Sequence, residues 1–136
     1  MQTFLPYASF TQSAACLDYR RLGKQRVETM QILKSIFTNK GWPNHPATKM
    51  WKNHTNALVN YGFFICLEWI RRGYKDTCYQ KIGIYYKEGE TNEAPSWFGD
   101  ERFHSSHRSN LLRKNSVFYG KYNWTESPDL PYIWPV

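Results

Sequence analysis

The sequence predicts a mainly α-helical protein, a compact single domain with a three-helix core wrapped by an aromatic, proline-rich C-terminal tail. Three observations lead there. Apolar residues recur at spacings of three and four along two long stretches. Turn-forming residues break the chain between them, in Asn39-Lys-Gly-Trp-Pro-Asn-His-Pro46 and at Gly73. The 136 residues, 41% of them hydrophobic, suit one domain with a single core.

Residues 1–10 are aromatic and extended, because Pro6 blocks a helix at the outset. Thr11 or Ser13 then caps a first helix running to about Thr38. Val27, Met30, Leu33, Lys34 (through its stem) and Phe37 form its buried stripe. Gly23, inside that helix, marks a bend or a close backbone approach. The second helix spans about 47–72, with Trp51, His54, Leu58, Tyr61, Ile65 and Trp69 in helical spacing and Gly73 ending it. On that apolar stripe, His54 reads as a hydrogen-bonded core histidine. Residues 74–98 are irregular, with a short extended piece at Ile82–Tyr86. A third helix covers about Asp100–Lys114, and the tail from Tyr119 to Val136 wraps the helices.

The net charge of +7 points to a polyanionic partner. A membrane surface is the weaker choice: no basic amphipathic helix has a clean apolar face, and no apolar run approaches membrane length. Cys16, Cys66 and Cys78 form no CxxC pair, which fits a reducing, cytoplasmic setting without disulfides or zinc. Aromatic residues make up 18% of the chain, enough to fill a core and leave some to stack on a ligand. In the tail, Tyr119, Tyr122, Trp124, Tyr132 and Trp134 divide between packing and base stacking, and the sequence does not separate the two. Walker, GxGxxG, GxSxG and HExxH motifs are absent, which removes the usual support for nucleotide hydrolysis and dinucleotide redox chemistry.

Two clusters carry candidate chemistry. At about 100° per residue, Asp18, Arg20, Arg21, Lys24, Gln25 and Glu28 share the polar half of the first helix. One reading is a solvated face with ordinary helical salt pairs. The other is a cationic field for a polyanion, with one acid placed for chemistry on it. Arg26 falls nearer the apolar stripe, where Glu68 is a candidate partner. The second cluster, in the third helix, holds His104, His107, Arg108, Arg113 and Lys114, residue types that serve phosphate contacts. No carboxylate or cysteine joins the two histidines, so no metal is expected. Asn44 and His45, in the polar loop, are candidates to face a ligand.

Taken together, these words resemble the pyrimidine-dimer DNA glycosylases. The likeness rests on Tyr19-Arg20 followed by Leu22 and a basic run, on Cys66-Leu-Glu-Trp-Ile-Arg-Arg-Gly-Tyr74, and on the aromatic tail. It covers residues 1–74 and 104–136. It is closer to a branch of small bacterial and viral proteins bearing Arg21-Leu-Gly-Lys-Gln-Arg-Val-Glu28, Asn44-His-Pro46, His107-Arg-Ser-Asn-Leu-Leu-Arg-Lys114 and Leu130-Pro-Tyr-Ile-Trp-Pro-Val136.

The resemblance implies a monomeric, cofactor-free enzyme that kinks double-stranded DNA and acts on a damaged or modified base taken out of the stack. It also implies an N-terminal amine as nucleophile, a glutamate on the first helix, and backbone cleavage beside the abasic site. The sequence departs from that pattern twice. Arg21 occupies the position where the family prototype has its glutamate, so Glu28, two turns on, is the substitute and Asp18 the runner-up. Gln2 is too bulky for ordinary removal of the initiator, which leaves the amine on Met1. Either Met1 attacks the sugar, or Glu28 activates water and only the base is removed.

By the same resemblance Arg20 binds phosphate, Arg21, Lys24 and Arg26 clamp the backbone, and Gln25, Asn44 and His45 meet a base edge or the opened duplex. Arg108, Arg113 and Lys114 grip the flanking strand. Two rivals stand beside it: a non-catalytic DNA-binding module, and an RNA nuclease using His104 and His107 as acid and base.

Overall fold

A computed structural model describes residues 1–136, as seven α-helices and no strand. They are α1 (Phe10–Cys16), α2 (Tyr19–Thr38), α3 (Pro46–Lys49), α4 (Thr55–Arg71), α5 (Tyr79–Gly83), α6 (Glu101–Lys114) and α7 (Ser116–Tyr119). The long elements α2, α4 and α6 are the three predicted core helices, although two of them are interrupted.

The predicted first helix is two. Ser9, rather than Thr11 or Ser13, caps α1, its hydroxyl accepting from Gln12 N. The chain then extends through Leu17, and Asp18 caps α2 by accepting from Arg21 N at 3.4 Å. The second helix is also divided. His45 caps α3 through its ring nitrogen, and Trp51 and His54 fall in the turn before α4, where Asn53 takes a positive φ of 70°. The C-terminus of α4 follows the sequence reading closely. Gly73 N bonds Ile70 O at 2.9 Å and Tyr74 N bonds Trp69 O at 3.3 Å, a Schellman closure needing the +95° φ of Gly73. Residues 82–86 are not extended, since Tyr79–Gly83 coils into α5. α6 begins at its Asp100 cap and ends at Lys114, as predicted.

Gly23 is a close approach rather than a bend. A Cβ there would lie 2.9 Å from the Trp69 ring, so glycine lets α2 and α4 cross in contact. Gly62 serves the same crossing from α4, where a Cβ would lie 2.8 Å from Thr29 Cγ2.

The buried side of α2 matches the predicted stripe only in part: Leu33 is buried and Met30 packs against the core. Val27 and Phe37 are exposed, while Leu22, Gln25, Glu28, Thr29, Ile32, Leu33 and Ser35 turn inward. Residues 2–6 explain why Gln25 and Glu28, from the predicted polar half, are buried. They thread through the core without secondary structure, and their buried peptide groups need partners that only polar side chains supply. Gln25 Oε1 accepts from Phe4 N at 2.8 Å, and Gln25 Nε2 donates to Gln2 O at 2.8 Å. The Tyr61 hydroxyl lies between Phe4 O (3.0 Å) and Gln25 Oε1 (2.7 Å), and Trp51 Nε1 donates to Thr3 Oγ1 at 3.0 Å.

On the opposite side, the two α6 histidines clasp Leu5. Gly99 N donates to His104 Nε2 (2.9 Å), which leaves the proton on Nδ1 to meet Leu5 O (2.7 Å). Leu5 N donates to His107 Nδ1 at 2.9 Å. α6 also laces down the tail: Asn110 donates to Leu130 O at 3.0 Å, Arg113 to Pro128 O at 3.1 Å, and the Ser109 hydroxyl to Ser127 O.

Candidate active site

A cleft of about 400 Å³ opens where the N-terminal segment meets α2. Its walls are Met1, Gln2 and Phe4, then Arg20, Arg21, Lys24, Gln25 and Glu28 from α2, with Lys114 and Tyr132 closing the far side. One carboxylate therefore lies among four side-chain cations and the N-terminal residue.

Glu28 is 9% exposed and held from two sides. Gln25 Nε2 donates to its Oε2 at 2.7 Å, and Lys24 Nζ lies 3.9 Å from its Oε1. Gln25 thus binds the backbone of Met1's neighbour and the carboxylate of Glu28 with one amide nitrogen. It fixes two walls of the cleft relative to one another, a positioning role rather than the base-edge contact expected from sequence. Gln2 Oε1 accepts from Thr3 N at 2.9 Å, while its Nε2 is buried without a partner. Lys114 lies at the exposed rim, where partial desolvation of its ammonium, then the nearby Arg21, Arg113 and Lys24 charges, push its pKa down. His45 also senses this end of the molecule: burial first, then the positive N-terminal amine, lowers its pKa.

Asp18 stands apart from the cleft. Its carboxylate caps α2, pairs with Arg21 Nη1 at 3.2 Å and accepts from the Tyr119 hydroxyl. Burial opposes its charge, yet the Tyr119 and Arg21 bonds outweigh that and hold its pKa below the usual range. Arg26 points elsewhere too, pairing with Asp76 at 2.7 Å rather than with Glu68, its guanidinium 4.4 Å from the Trp69 ring centroid. Glu68 instead takes Arg71 (2.6 Å) and Arg72 (2.7 Å).

The second cluster serves packing. His104 and His107 are buried against Leu5, and burial drives the His107 pKa down to about 3. Arg108 is buried, bonding Pro6 O at 2.8 Å and pairing with Glu126 (2.8 Å) and Glu101. Arg113 ties Asn110 to the tail. Of this group only Lys114 lines the cleft. An acid–base pair of His104 and His107 has no access to a phosphodiester, so the nuclease reading loses its residues. Asn44 stays exposed in the loop before α3, while His45 uses its Nδ1 to accept from Ala47 N at 3.0 Å.

The model of the pyrimidine dimer DNA glycosylases matches residues 1–81, which carry Met1, Gln25 and Glu28. The chain belongs to that family. No curated protein and no solved structure matches it. For a pyrimidine dimer glycosylase the matched part is the informative one, since it supplies every wall of the cleft except Lys114 and Tyr132. No helix is long and apolar enough to cross a membrane.

The placements separate two arginines six residues apart. Arg20→Ala is expected to weaken duplex binding across sequences and flatten the log–log salt slope by about one unit. Arg26→Ala is expected to leave that slope unchanged and lower the melting temperature, because it strips Asp76 and Trp69 of their partner. Binding titrations from low to moderate salt check both.

Proposed function

We propose that this protein removes a damaged pyrimidine, with the cyclobutane dimer as its default substrate, from double-stranded DNA at the Met1–Glu28 cleft. The observation that carries this is the sharing of one basic cleft by the terminal residue and a positioned carboxylate. Arg20, Arg21, Lys24 and Lys114 supply charge for phosphates around a nucleotide drawn out of the duplex.

In the proposed reaction the Met1 amine forms a bond to the sugar C1′ as the C1′–N1 bond breaks, and the base departs with that electron pair and takes up a proton. The nitrogen gives up one proton, its lone pair opens the ring C1′–O4′ bond, O4′ takes up a proton, and a protonated Schiff base results. The Glu28 side chain, beside C1′, stabilises the positive charge that develops there. Loss of a C2′ proton from the Schiff base then expels the 3′ phosphate, which is the lyase step. Neither step calls on a cofactor, and a single copy of the chain holds every group used.

End-labelled duplexes carrying a cyclobutane dimer, uracil or a bulky 5-substituted pyrimidine test this reading. Strand scission at the dimer with intact control duplexes is the expected result. Scission only at the 5-substituted base would reassign the substrate, and binding with no scission anywhere, even after hot alkali, would support a DNA-binding module.

A further inference from the structure

Of the six tryptophans, Trp42 alone is exposed, at 56%. Its loop is nevertheless fixed. Asn39 closes α2 with a φ of 56°, Gly41 turns the chain at +78°, and Trp42 N donates to Ser35 Oγ at 3.1 Å. Trp42 O also accepts from His45 N at 3.2 Å. An exposed indole on a pinned loop loses little conformational entropy when a ligand covers it.

Its neighbours lead to the cleft. Ring centroids run from Trp42 to His45 (6.4 Å), from His45 to Trp134 (5.7 Å) and from Trp134 to Tyr132 (5.4 Å). Tyr132 is itself a wall of the cleft. Trp42 keeps more than half of its surface open to solvent while it touches His45 at a steep angle, 87°. Lys49 and Lys52 line a small hollow beside the same loop, with Asn39 and Pro43. An open aromatic face, an aromatic path to the reacting position and adjacent cations make a stacking platform for single-stranded nucleic acid.

The geometry points to Trp42 as the stacking site for a nucleobase that flanks the excised nucleotide on the same strand. This inference rests on the cleft being where the nucleotide reacts. With one nucleotide in the cleft, the continuing strand passes along Tyr132, Trp134 and His45, and its next unstacked base meets Trp42. Lys49 and Lys52 neutralise the phosphate beside it.

The test uses the whole protein and a duplex with a tetrahydrofuran abasic analogue as the reacting nucleotide, which binds without turnover. Bases on either strand near it are replaced in turn by a second tetrahydrofuran. Trp42→Ala is expected to weaken binding to the parent duplex about tenfold, while Trp42→Phe retains most of the affinity. Removing one flanking base on the same strand is expected to weaken the wild type equally and to leave Trp42→Ala unchanged. Unchanged affinity in Trp42→Ala, a loss equal on every duplex, or coupling to the opposite strand would overturn the assignment. Excision by the wild type is assayed alongside. No excision with the same-strand coupling intact would remove the catalytic reading and keep the stacking site; no duplex binding at all would remove both.

Discussion

Glu28→Gln is expected to cut base excision by about a thousandfold while leaving DNA affinity equal or higher. The amide is close in shape to the carboxylate, and its oxygen still accepts from Gln25 Nε2, so the fold has no reason to change. What disappears is a negative charge inside a cleft that otherwise carries Arg20, Arg21, Lys24 and Lys114. Removing it favours a polyanion in the ground state and withdraws stabilisation from the cationic sugar. Single-turnover excision and equilibrium binding, measured on one dimer duplex, separate the two effects. Wild-type excision by this variant would move the chemistry away from Glu28. A module that only binds DNA would show no loss of any kind.

Gln25→Leu is expected to be the most damaging single substitution to the fold outside the apolar core. Gln25 is 1% exposed and bonds Phe4 N, Gln2 O and Glu28 Oε2, with the Tyr61 hydroxyl beside it. Leucine would leave a buried N–H and a buried C=O without partners, at about 1–3 kcal/mol each. A destabilisation of about 3–5 kcal/mol follows, a drop of roughly 10 °C or more in thermal melting. Activity should fall further than the folded fraction, because the tether holding Met1 opposite Glu28 goes with the side chain. A melting temperature within a degree or two of wild type would mean that residues 2–4 are held in some other way.

How much of this was legible in the sequence depended on what each residue answers to. The Gly73 stop and the Asp100–Lys114 helix are local and were read correctly, whereas the choice between a bend and a close approach at Gly23 was settled only by Trp69 of α4. The breaks at Leu17–Asp18 and before Thr55 were missed because the helical spacing of apolar residues continues across both. The polar part of the inward face of α2, Gln25 and Glu28, was missed for a different reason. It answers to the buried peptide groups of residues 2–4, and hydrophobic periodicity carries no record of such a demand. Glu28, Lys24, Arg20, Arg21 and Met1 line one cleft, and Lys114, which the sequence grouped with Arg108 and Arg113, joins them there. His104, His107 and Arg108 show the limit of residue type as evidence. A His-Ser-Asn-Arg helix suits phosphates, but here it suits the carbonyls of Leu5, Pro6 and the tail. The aromatic path through His45 and Trp134 to Trp42 could not be read from sequence, since it joins a loop before α3 to residues near position 134 of the tail.

The most direct measurement is borohydride trapping of the wild-type protein on a cyclobutane-dimer duplex, followed by mass mapping of the adduct. A reduced covalent link between the sugar and the Met1 peptide is the expected result, absent in Glu28→Gln and when the N-terminus is acetylated. Base loss revealed only by hot alkali, with no adduct, would contradict the Met1 amine as nucleophile and leave water activated by Glu28 in its place.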